Sequence, residues 1–266
     1  MPEHNATKII LCKDGAHLAA TAAKEFVRLA KAAVQIQGAF SVALSGGSTP
    51  KATFELLSTQ PLVLQVPWSS THVFWSDERT VPPDHKDSNY RMAYEAMISR
   101  VALPATNVHR MKGEMDPESA AAEYTAELEN HFGPGFPRFD LIMLGMGDDG
   151  HTASLFPGTK ALGEAERPVV ANYVPKFSTN RLTFSVPTIN NAACVMFLIS
   201  GDAKVPALKE VIEGTRNTQL YPSQLIHPTN GALEYLVDRA AAAALDIMRP
   251  ALSEPPSDQP VEIKLA

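Results

Sequence analysis

The stretch DLIMLGMGDDGHTASLFPG, residues 140–158, decides the fold of this chain. It opens with a continuous apolar run, which is typical of a strand buried on both faces of a sheet. The run passes into a loop in which Gly145, Gly147 and Gly150 have the G-x-G-x-x-G spacing of a dinucleotide-binding turn. His151 follows directly. The loop therefore has two competing interpretations, a dinucleotide site and a catalytic site centred on the histidine.

The residues around the glycines disfavour the dinucleotide interpretation. Asp148 and Asp149 place two negative charges where a pyrophosphate would lie. The next predicted strand, residues 169–174, ends without the acidic residue that would bind a ribose. The motif also follows several earlier predicted strands instead of opening the fold. We therefore expect no dinucleotide here.

The catalytic interpretation rests on His151. A histidine can take a proton from water near neutral pH, and Asp149, two residues earlier, can orient the ring and stabilise its charged form. Two alternatives remain: a histidine with a purely structural role, and a metal site at Asp148 and Asp149. No set of His, Asp and Cys at metal-ligand spacing surrounds these aspartates, so we expect no metal there.

Strand and helix patterns alternate along the chain, which favours an α/β fold with a mostly parallel sheet covered by helices on both faces. The predicted strands are residues 8–12, 40–44, 72–75, 140–144, 169–174, 182–186 and 195–200. The predicted helices are residues 14–34, 50–57, 88–99, 117–131, 203–212 and 233–248. The stretch between Val174 and Leu182 is too short for a crossover helix, so we also expect one or two antiparallel edge strands.

Composition sets the broad class of the protein. The chain has 266 residues, of which 45% are hydrophobic and 20% charged, as in ordinary globular proteins. Its net charge of −6 offers no general field for nucleic acid, although a local basic pocket could still bind a small anion. No run of 18 apolar residues and no secretory signal pattern occur, so we expect a cytoplasmic protein without membrane contact.

The same patterns suggest how the chain is divided. We expect one α/β domain over residues 1–250, followed by a polar, proline-rich and loose tail over residues 251–266. Cys12 and Cys194 both lie in apolar runs, so we expect them in the core and not in a disulfide.

Polar loops follow three of the predicted strands, and ligands of parallel sheets gather at the carboxyl ends of strands. In SGGSTP, residues 45–50, the glycines Gly46 and Gly47 free the backbone to turn, Ser48 and Thr49 add hydroxyl donors, and a helix begins. Such a helix start favours a phosphate. The loop lacks the lysine of a P-loop, so a nucleoside triphosphate is not indicated. A simple turn with a helix cap is the alternative.

The loop SDER, residues 76–79, places charges at the end of another predicted strand. Arg79 is suited to bind a phosphate with two hydrogen bonds, and Asp77 could hold a sugar hydroxyl. The segment beginning at Ser88 opens a helix and could cap that helix or line the pocket. A solvated loop is the alternative.

Taken together, these motifs resemble the 6-phosphogluconolactonase family. The resemblance runs from about residue 8 to about residue 248 and leaves out the tail. Its motifs, in chain order, are SGGSTP at 45–50, WSDER at 75–79, SNYRMA at 88–93, GMGDDGHTASLFPGT at 145–159, RLT at 181–183 and GDAK at 201–204.

The resemblance implies a single Rossmann-like α/β domain, no cofactor and a small sugar phosphate as substrate. It implies hydrolysis of 6-phospho-D-glucono-1,5-lactone to 6-phospho-D-gluconate, in the oxidative pentose phosphate pathway, with His151 activating water and no metal. It also assigns the 46–49 loop, Arg79, Arg181 and Lys204 to the substrate and its phosphate.

Two alternative functions remain. Glucosamine-6-phosphate deaminase belongs to the same superfamily, but its pattern has a glutamate where this chain has Phe156 and a non-basic aromatic residue where it has Arg79. Both differences favour the lactonase. A sugar-phosphate sensor without turnover would use the same pocket, and a histidine beside Asp149 favours chemistry over sensing.

Overall fold

The computed structural model describes residues 7–265. Its strands are β1 Thr7–Cys12, β2 Phe40–Leu44, β3 Thr71–Trp75, β4 Asp77–Arg79, β5 Leu141–Gly145, β6 Val169–Val174, β7 Thr179–Phe184, β8 Cys194–Ile199, β9 Ala232–Asp238 and β10 Val261–Leu265. Its helices are α1 Gly15–Gln37, α2 Ser48–Leu57, α3 Asn89–Ala96, α4 Pro117–Phe132, α5 Val186–Asn190, α6 Val205–Glu213 and α7 Arg249–Ser253. Short 3₁₀ turns connect many of them.

Seven strands form the main sheet in the order β10-β1-β9-β8-β5-β2-β3. Every neighbouring pair is parallel except β10 and β1, which are antiparallel at the edge. All residues of β2, β8 and β9 are buried, as expected where both faces of a sheet are covered. The predicted fold class, a mostly parallel sheet surrounded by helices with antiparallel edge strands, is confirmed.

The prediction of a helix over residues 233–248 is wrong. Ala232–Asp238 is strand β9, hydrogen-bonded between β1 and β8. Because both faces of β9 are covered, most of its residues are apolar and lack the alternation that marks a half-buried strand. The alanines that follow extended the apparent helical pattern. In the structure Asp238 ends the strand instead, since its Oδ1 accepts a hydrogen bond of 2.8 Å from the backbone of Ala241.

A second, smaller sheet packs beside the first in the order β4-β7-β6 and is antiparallel throughout. The antiparallel pairing of β6 with β7 follows the expectation for the short stretch between them. However, these strands pair with β4 and not with the edge of the main sheet. Strand β7 begins at Thr179, earlier than the predicted start at residue 182, because the turn at residues 175–178 is very short.

The last segment of the chain is partly regular in the structure. Residues 261–265, within the segment expected to be a loose tail, form β10 on the outer side of β1. The division into a domain over residues 1–250 and a tail over 251–266 stays a prediction. Residues 1–6 and 266 lie outside the described part.

Helix α1 illustrates how local sequence sets these elements. Asp14 caps its start by accepting a hydrogen bond of 2.7 Å from the backbone of His17. Gly38 ends it with a positive φ of 82°. Leu18, Ala22 and Phe26 lie on its buried face at helical spacing. The helix thereby covers the sheet and leaves the carboxyl ends of the strands open.

Two predictions about the rest of the chain can be compared with the structure. Cys12 and Cys194 are buried and unpaired, as predicted. Within residues 7–265, no helix is long and apolar enough to cross a bilayer.

Candidate active site

A cavity of about 230 Å³ opens at the carboxyl ends of β2, β5 and β8, beside the small sheet. Parallel strands bring their carboxyl ends to one edge of a sheet, so loops distant in sequence meet there. The three polar loops predicted to follow strands all contribute to the wall of this cavity. The lining residues are Ser45, Gly46, Gly47, Ser48, Thr49, Pro50, Asp77, Arg79, Asn89, Gly145, Met146, Gly147, His151, Ala153, Arg181, Leu198, Ser200 and Lys204.

His151 and Asp149 form a hydrogen-bonded pair at this cavity. His151 Nδ1 lies 2.5 Å from Asp149 Oδ1, and the same oxygen accepts a hydrogen bond of 3.2 Å from the backbone of His151. A carboxylate can only accept, so Nδ1 carries the proton and Nε2 has a free lone pair. The histidine side chain is 23% exposed, which leaves it accessible to a substrate and to water. The pair has the geometry of an oriented general base.

Gly147 makes room for this pair. A Cβ at this position would lie 2.0 Å from His151 Nδ1 and 2.7 Å from Asp149 Oδ1. The spacing that resembles a dinucleotide fingerprint therefore has a different origin. Within the described chain no α-helix follows β5 before β6, so the loop lacks the helix start that a pyrophosphate needs.

Two contacts around the His151–Asp149 pair were not predicted from the sequence. The ring of Phe156 stacks on His151 at a centroid distance of 3.9 Å and an angle of 22°. Lys176, in the turn between β6 and β7, donates a hydrogen bond of 2.9 Å to Asp149 Oδ2. No motif marks this lysine, because its position depends on how the small sheet packs against the loop.

The partners of Asp149 control its charge. Burial alone would raise the pKa of this carboxyl, but the hydrogen bonds from His151 and Lys176 outweigh burial and hold its pKa well below the ordinary value. Asp149 is therefore ionised at neutral pH and stabilises a positive charge on the imidazole.

Arg79 and Arg181 occupy opposite positions on neighbouring strands of the small sheet. They are direct partners in the antiparallel register of β4 and β7. Neither forms an ion pair with a described residue, and both have a buried Nε without a hydrogen-bond partner. Burial, followed by the charge of Arg79, lowers the pKa of Arg181. Like charges placed opposite each other are unfavourable, and the charges of Asp77, Glu78 and Asp87 offset this effect at Arg181 only in part.

Lys204 brings a third positive charge to the cavity, in the short turn that precedes α6. Like the two arginines, it forms no ion pair with any residue that the structure describes. One side of the cavity therefore carries three cations, none of which forms an ion pair with a described residue.

The loop at residues 45–50 adds backbone donors to this basic side. Helix α2 begins at Ser48, and no side chain caps it. The first N–H groups of a helix lack internal partners and carry partial positive charge. Gly46 lets the loop approach α3, because a Cβ there would lie 1.9 Å from Asn89 Oδ1. The predicted turn and helix start are both present in this loop, and its use as an anion site stays a prediction.

Buried acids hold these loops in place. Glu78 accepts backbone hydrogen bonds of 2.7 Å from Arg79, 2.8 Å from Asn89 and 2.8 Å from Tyr90. Burial raises the pKa of Glu78 even though these backbone hydrogen bonds lower it. The carboxylate thereby fixes the start of α3 against β4. This connection was not predicted, because Glu78 is adjacent to Arg79 and resembles part of a solvated loop.

Asp77 links two loops instead of standing free in the cavity. Its Oδ2 accepts a hydrogen bond of 2.7 Å from Ser154 Oγ, and its Oδ1 accepts one of 3.2 Å from Asn89 Nδ2. The side chain is only 5% exposed. Asp77 lines the cavity as expected, but each oxygen already has a partner within the protein.

The structure thus brings the predicted site residues together. The glycine loop, Asp77, Arg79, His151, Arg181 and Lys204 all line one cavity, and Asp149 lies behind His151.

Comparisons with known proteins agree with this arrangement. The sequence profile of the family described as glucosamine-6-phosphate isomerases/6-phosphogluconolactonase matches residues 13–235. A curated 6-phosphogluconolactonase of Nostoc sp. is 45% identical over 219 residues, covering 81% of this chain and 88% of that protein. A second one, from Synechocystis sp., is 45% identical over 222 residues and covers 82% and 89% of the two chains.

A solved structure agrees as well. The 6-phosphogluconolactonase of Trypanosoma cruzi superposes with a TM-score of 0.81 at 30% identity and covers 92% of this chain and 98% of that one. Profile, sequence and fold therefore agree over most of the chain, and the chain belongs to the glucosamine-6-phosphate isomerase/6-phosphogluconolactonase family.

Proposed function

We propose that the chain hydrolyses 6-phospho-D-glucono-1,5-lactone to 6-phospho-D-gluconate, in the oxidative pentose phosphate pathway. The observation that carries this proposal is the pairing of an oriented base with a basic region in one cavity: His151 on Asp149, and Arg79 opposite Arg181. The oriented base can activate water for a hydrolytic step, and the basic region can bind the phosphate of the substrate. The lactonases among the relatives are consistent with both.

The phosphate binds on the basic side in this proposal. Arg79, Arg181 and Lys204 supply the charge, and the start of α2 supplies backbone N–H donors. Binding there positions the lactone carbon near His151, so the reaction gains from proximity. Asp77, whose oxygens are both engaged, mainly holds the loops and offers its remaining lone pairs to a sugar hydroxyl.

The chemical step follows from the state of the histidine. His151 Nε2 takes a proton from water as the water oxygen bonds to C1 of the lactone. The carbonyl oxygen becomes negative and is stabilised by backbone N–H groups of the glycine loops. The C1–O5 bond then breaks, and the protonated His151 returns its proton to O5. The sum is addition of one water across the ester.

Asp149 orients His151 through this cycle and stabilises the imidazolium. Lys176 keeps Asp149 ionised, and Phe156 fixes the plane of the imidazole by stacking. The lactone is an activated ester, so the step requires neither a covalent nucleophile nor a metal in this cavity.

A glucosamine-6-phosphate deaminase is the second candidate, because the family includes that activity. The deaminase pattern requires a carboxylate where this chain has Phe156, and here an aromatic ring covers the face of His151. A sensor without turnover is the third candidate. The Phe156 ring disfavours the deaminase, and the hydrogen-bonded base favours catalysis over sensing.

A parallel assay separates the three candidates. The protein is mixed with freshly made 6-phosphogluconolactone, and acid release is followed after subtraction of spontaneous hydrolysis. Glucosamine 6-phosphate is tested separately, with ammonia as the readout. Acid release without ammonia supports the proposal. Ammonia release indicates the deaminase, and binding of either compound without turnover indicates the sensor.

A further inference from the structure

Three histidines converge at the end of β3 remote from the active site. His72 lies in β3, His109 lies in the segment after α3, and His131 lies in the last turn of α4. One ring nitrogen from each histidine lies within 4.8 Å of the others, and all three side chains are half-buried. The proposed hydrolysis uses none of them.

We propose that His72, His109 and His131 bind one divalent transition-metal ion of the zinc type, with Glu127 supporting His109 from behind. Neutral imidazoles are common ligands of Zn²⁺. The ion would tie three separate parts of the chain together.

The spacing of the first two ligands already suits a metal. His72 Nδ1 lies 3.2 Å from His109 Nε2. Two nitrogens on a tetrahedral zinc, each about 2.0–2.1 Å from the ion, lie about 3.4 Å apart. The two nitrogens therefore need almost no movement to share an ion. In the metal-free protein His72 Nδ1 donates a hydrogen bond to His109 Nε2, so the proton on His72 Nδ1 must move to its Nε2 before Nδ1 can bind the ion.

Glu127 sets the tautomer of His109. Its Oε1 lies 2.6 Å from His109 Nδ1. The carboxylate only accepts, so Nδ1 carries a proton and Nε2 presents its lone pair towards His72. A carboxylate behind a histidine is the arrangement that orients histidine ligands in metal sites.

His131 completes the set with a small movement. Its Nε2 lies 2.9 Å from Ser41 Oγ, a hydroxyl that can donate or accept. Closing from at most 4.8 Å to about 3.4 Å requires a shift of about 1.4 Å, within reach of a side-chain rotation. As the ring moves, the hydrogen bond between Ser41 Oγ and His131 Nε2 can be kept or broken.

Aromatic rings fix the orientation of two of the imidazoles. Phe74 stacks on His109 at 4.2 Å and 7°, and Phe132 packs edge-on against His131 at 4.6 Å. Rings held in this way lose little further freedom when they bind an ion.

An adjoining cavity gives the ion an entry route. It has a volume of about 250 Å³ and is lined in part by His109, Glu127 and Glu123. It can hold a water as the fourth ligand, since three protein ligands leave one tetrahedral position open.

This site is distinct from the cavity that holds His151. His72 and Asp77 are separated by five residues along an extended segment, or roughly 16 Å at about 3.3 Å per residue. An ion at the histidines would instead fasten α4 to β3. Since α4 packs on β6 and β7, the ion would stiffen the support of the small sheet.

The test starts with tag-free, metal-stripped protein titrated with Co²⁺, whose visible spectrum reports tetrahedral coordination. We expect a tetrahedral signal that saturates at one equivalent and disappears when Zn²⁺ is added. Zn²⁺ should also raise Tm, and a chelator should reverse the rise. Absence of a saturable signal in the wild type would overturn the proposal without any variant.

Variants then locate the ion. His131→Ala and His72→Ala should abolish the Co²⁺ signal, and Glu127→Gln should weaken binding by about 10–100-fold. His227→Ala removes an exposed histidine and is the matched control. Melting curves without metal check that each variant folds.

One further variant distinguishes this site from the active site. His151→Ala should bind Co²⁺ as the wild type does. If His151→Ala lost the signal while Glu127→Gln kept wild-type affinity, the ion would belong to the active site and the proposal would be wrong. This outcome is separate from the lactonase assay, which does not depend on the three histidines.

Discussion

Arg79 and Arg181 stand directly opposite each other in β4 and β7, and both carry a buried Nε without a hydrogen-bond partner. Two cations in this position repel each other unless an anion lies between or beside them. The residue types alone do not reveal this relationship, because it depends on the register of two strands. It is the strongest structural support for a phosphorylated substrate.

Phosphate should therefore stabilise the folded protein. We expect Tm to rise with inorganic phosphate, since a ligand present at 100 times its Kd adds about 2.7 kcal/mol of stability. Arg181→Leu should abolish most of this rise. Arg249→Ala, which removes a largely exposed arginine, is the control and should keep it. An equal phosphate effect in wild type and Arg181→Leu, measured by thermal melts, would remove the arginine from the anion site.

Arg79 should discriminate between phosphorylated and plain lactones. A hydrogen bond to a charged group contributes about 1.5–3 kcal/mol, so Arg79→Ala should raise KM for 6-phosphogluconolactone by roughly 10–150-fold. KM for unphosphorylated gluconolactone should change little. Steady-state kinetics on both substrates check this, and an equal rise for both would show that Arg79 does not bind the phosphate.

Gly147 should be sensitive to a single methyl group. In Gly147→Ala the new Cβ would lie 2.0 Å from His151 Nδ1 and 2.7 Å from Asp149 Oδ1, so it would clash with both side chains. We expect a large loss of kcat and a cost in stability of about 1–3 kcal/mol from overpacking. Gly163→Ala is the matched control, because a Cβ there meets nothing within 4 Å. Similar kcat in the two variants would show that the loop can relax.

Asp149 should contribute stability that depends on pH in a defined direction. Folding lowers its pKa, so its contribution is present above the unfolded value of about 3.9 and is lost as the pH falls towards the folded-state pKa. Asp149→Asn should therefore be less stable than wild type at neutral pH, and the difference should shrink in acid. Denaturant unfolding across this range measures it.

Asp148→Asn is the control for that series, since Asp148 is 67% exposed and its only ion pair with a residue in the described part of the chain is a long contact of 3.5 Å with Lys176. It should follow the wild-type profile. A constant stability difference between Asp149→Asn and wild type at every pH would contradict the proposed ionic role of Asp149.

Much of the site could be predicted from the sequence for a simple physical reason. Parallel strands place their carboxyl ends on one edge, so loops that follow apolar strands meet there whatever their distance along the chain. His151 and Asp149 are two residues apart, so a local hydrogen bond was foreseeable. The glycine loop beginning at Gly46 was foreseeable too, because a strand–turn–helix start has a recognisable composition.

Other features depend on long-range packing and carry no local signal. Lys176 reaches Asp149 only because the small sheet folds over the loop. Phe156 covers His151 after a turn whose shape the sequence does not specify. Strand β9 looked helical, because a strand covered on both faces has no alternation. In each case the missing information lies in which elements become neighbours.

The most direct test of the central claim is kcat of His151→Ala on 6-phosphogluconolactone, corrected for spontaneous hydrolysis. Loss of a general base typically lowers the rate by about 10²–10⁴-fold. We predict a loss in that range, with KM nearly unchanged and Tm close to wild type, because the histidine acts on water and not on the phosphate. A kcat equal to that of the wild type would contradict the account, since no other residue in the cavity forms an oriented Asp–His pair among residues 7–265.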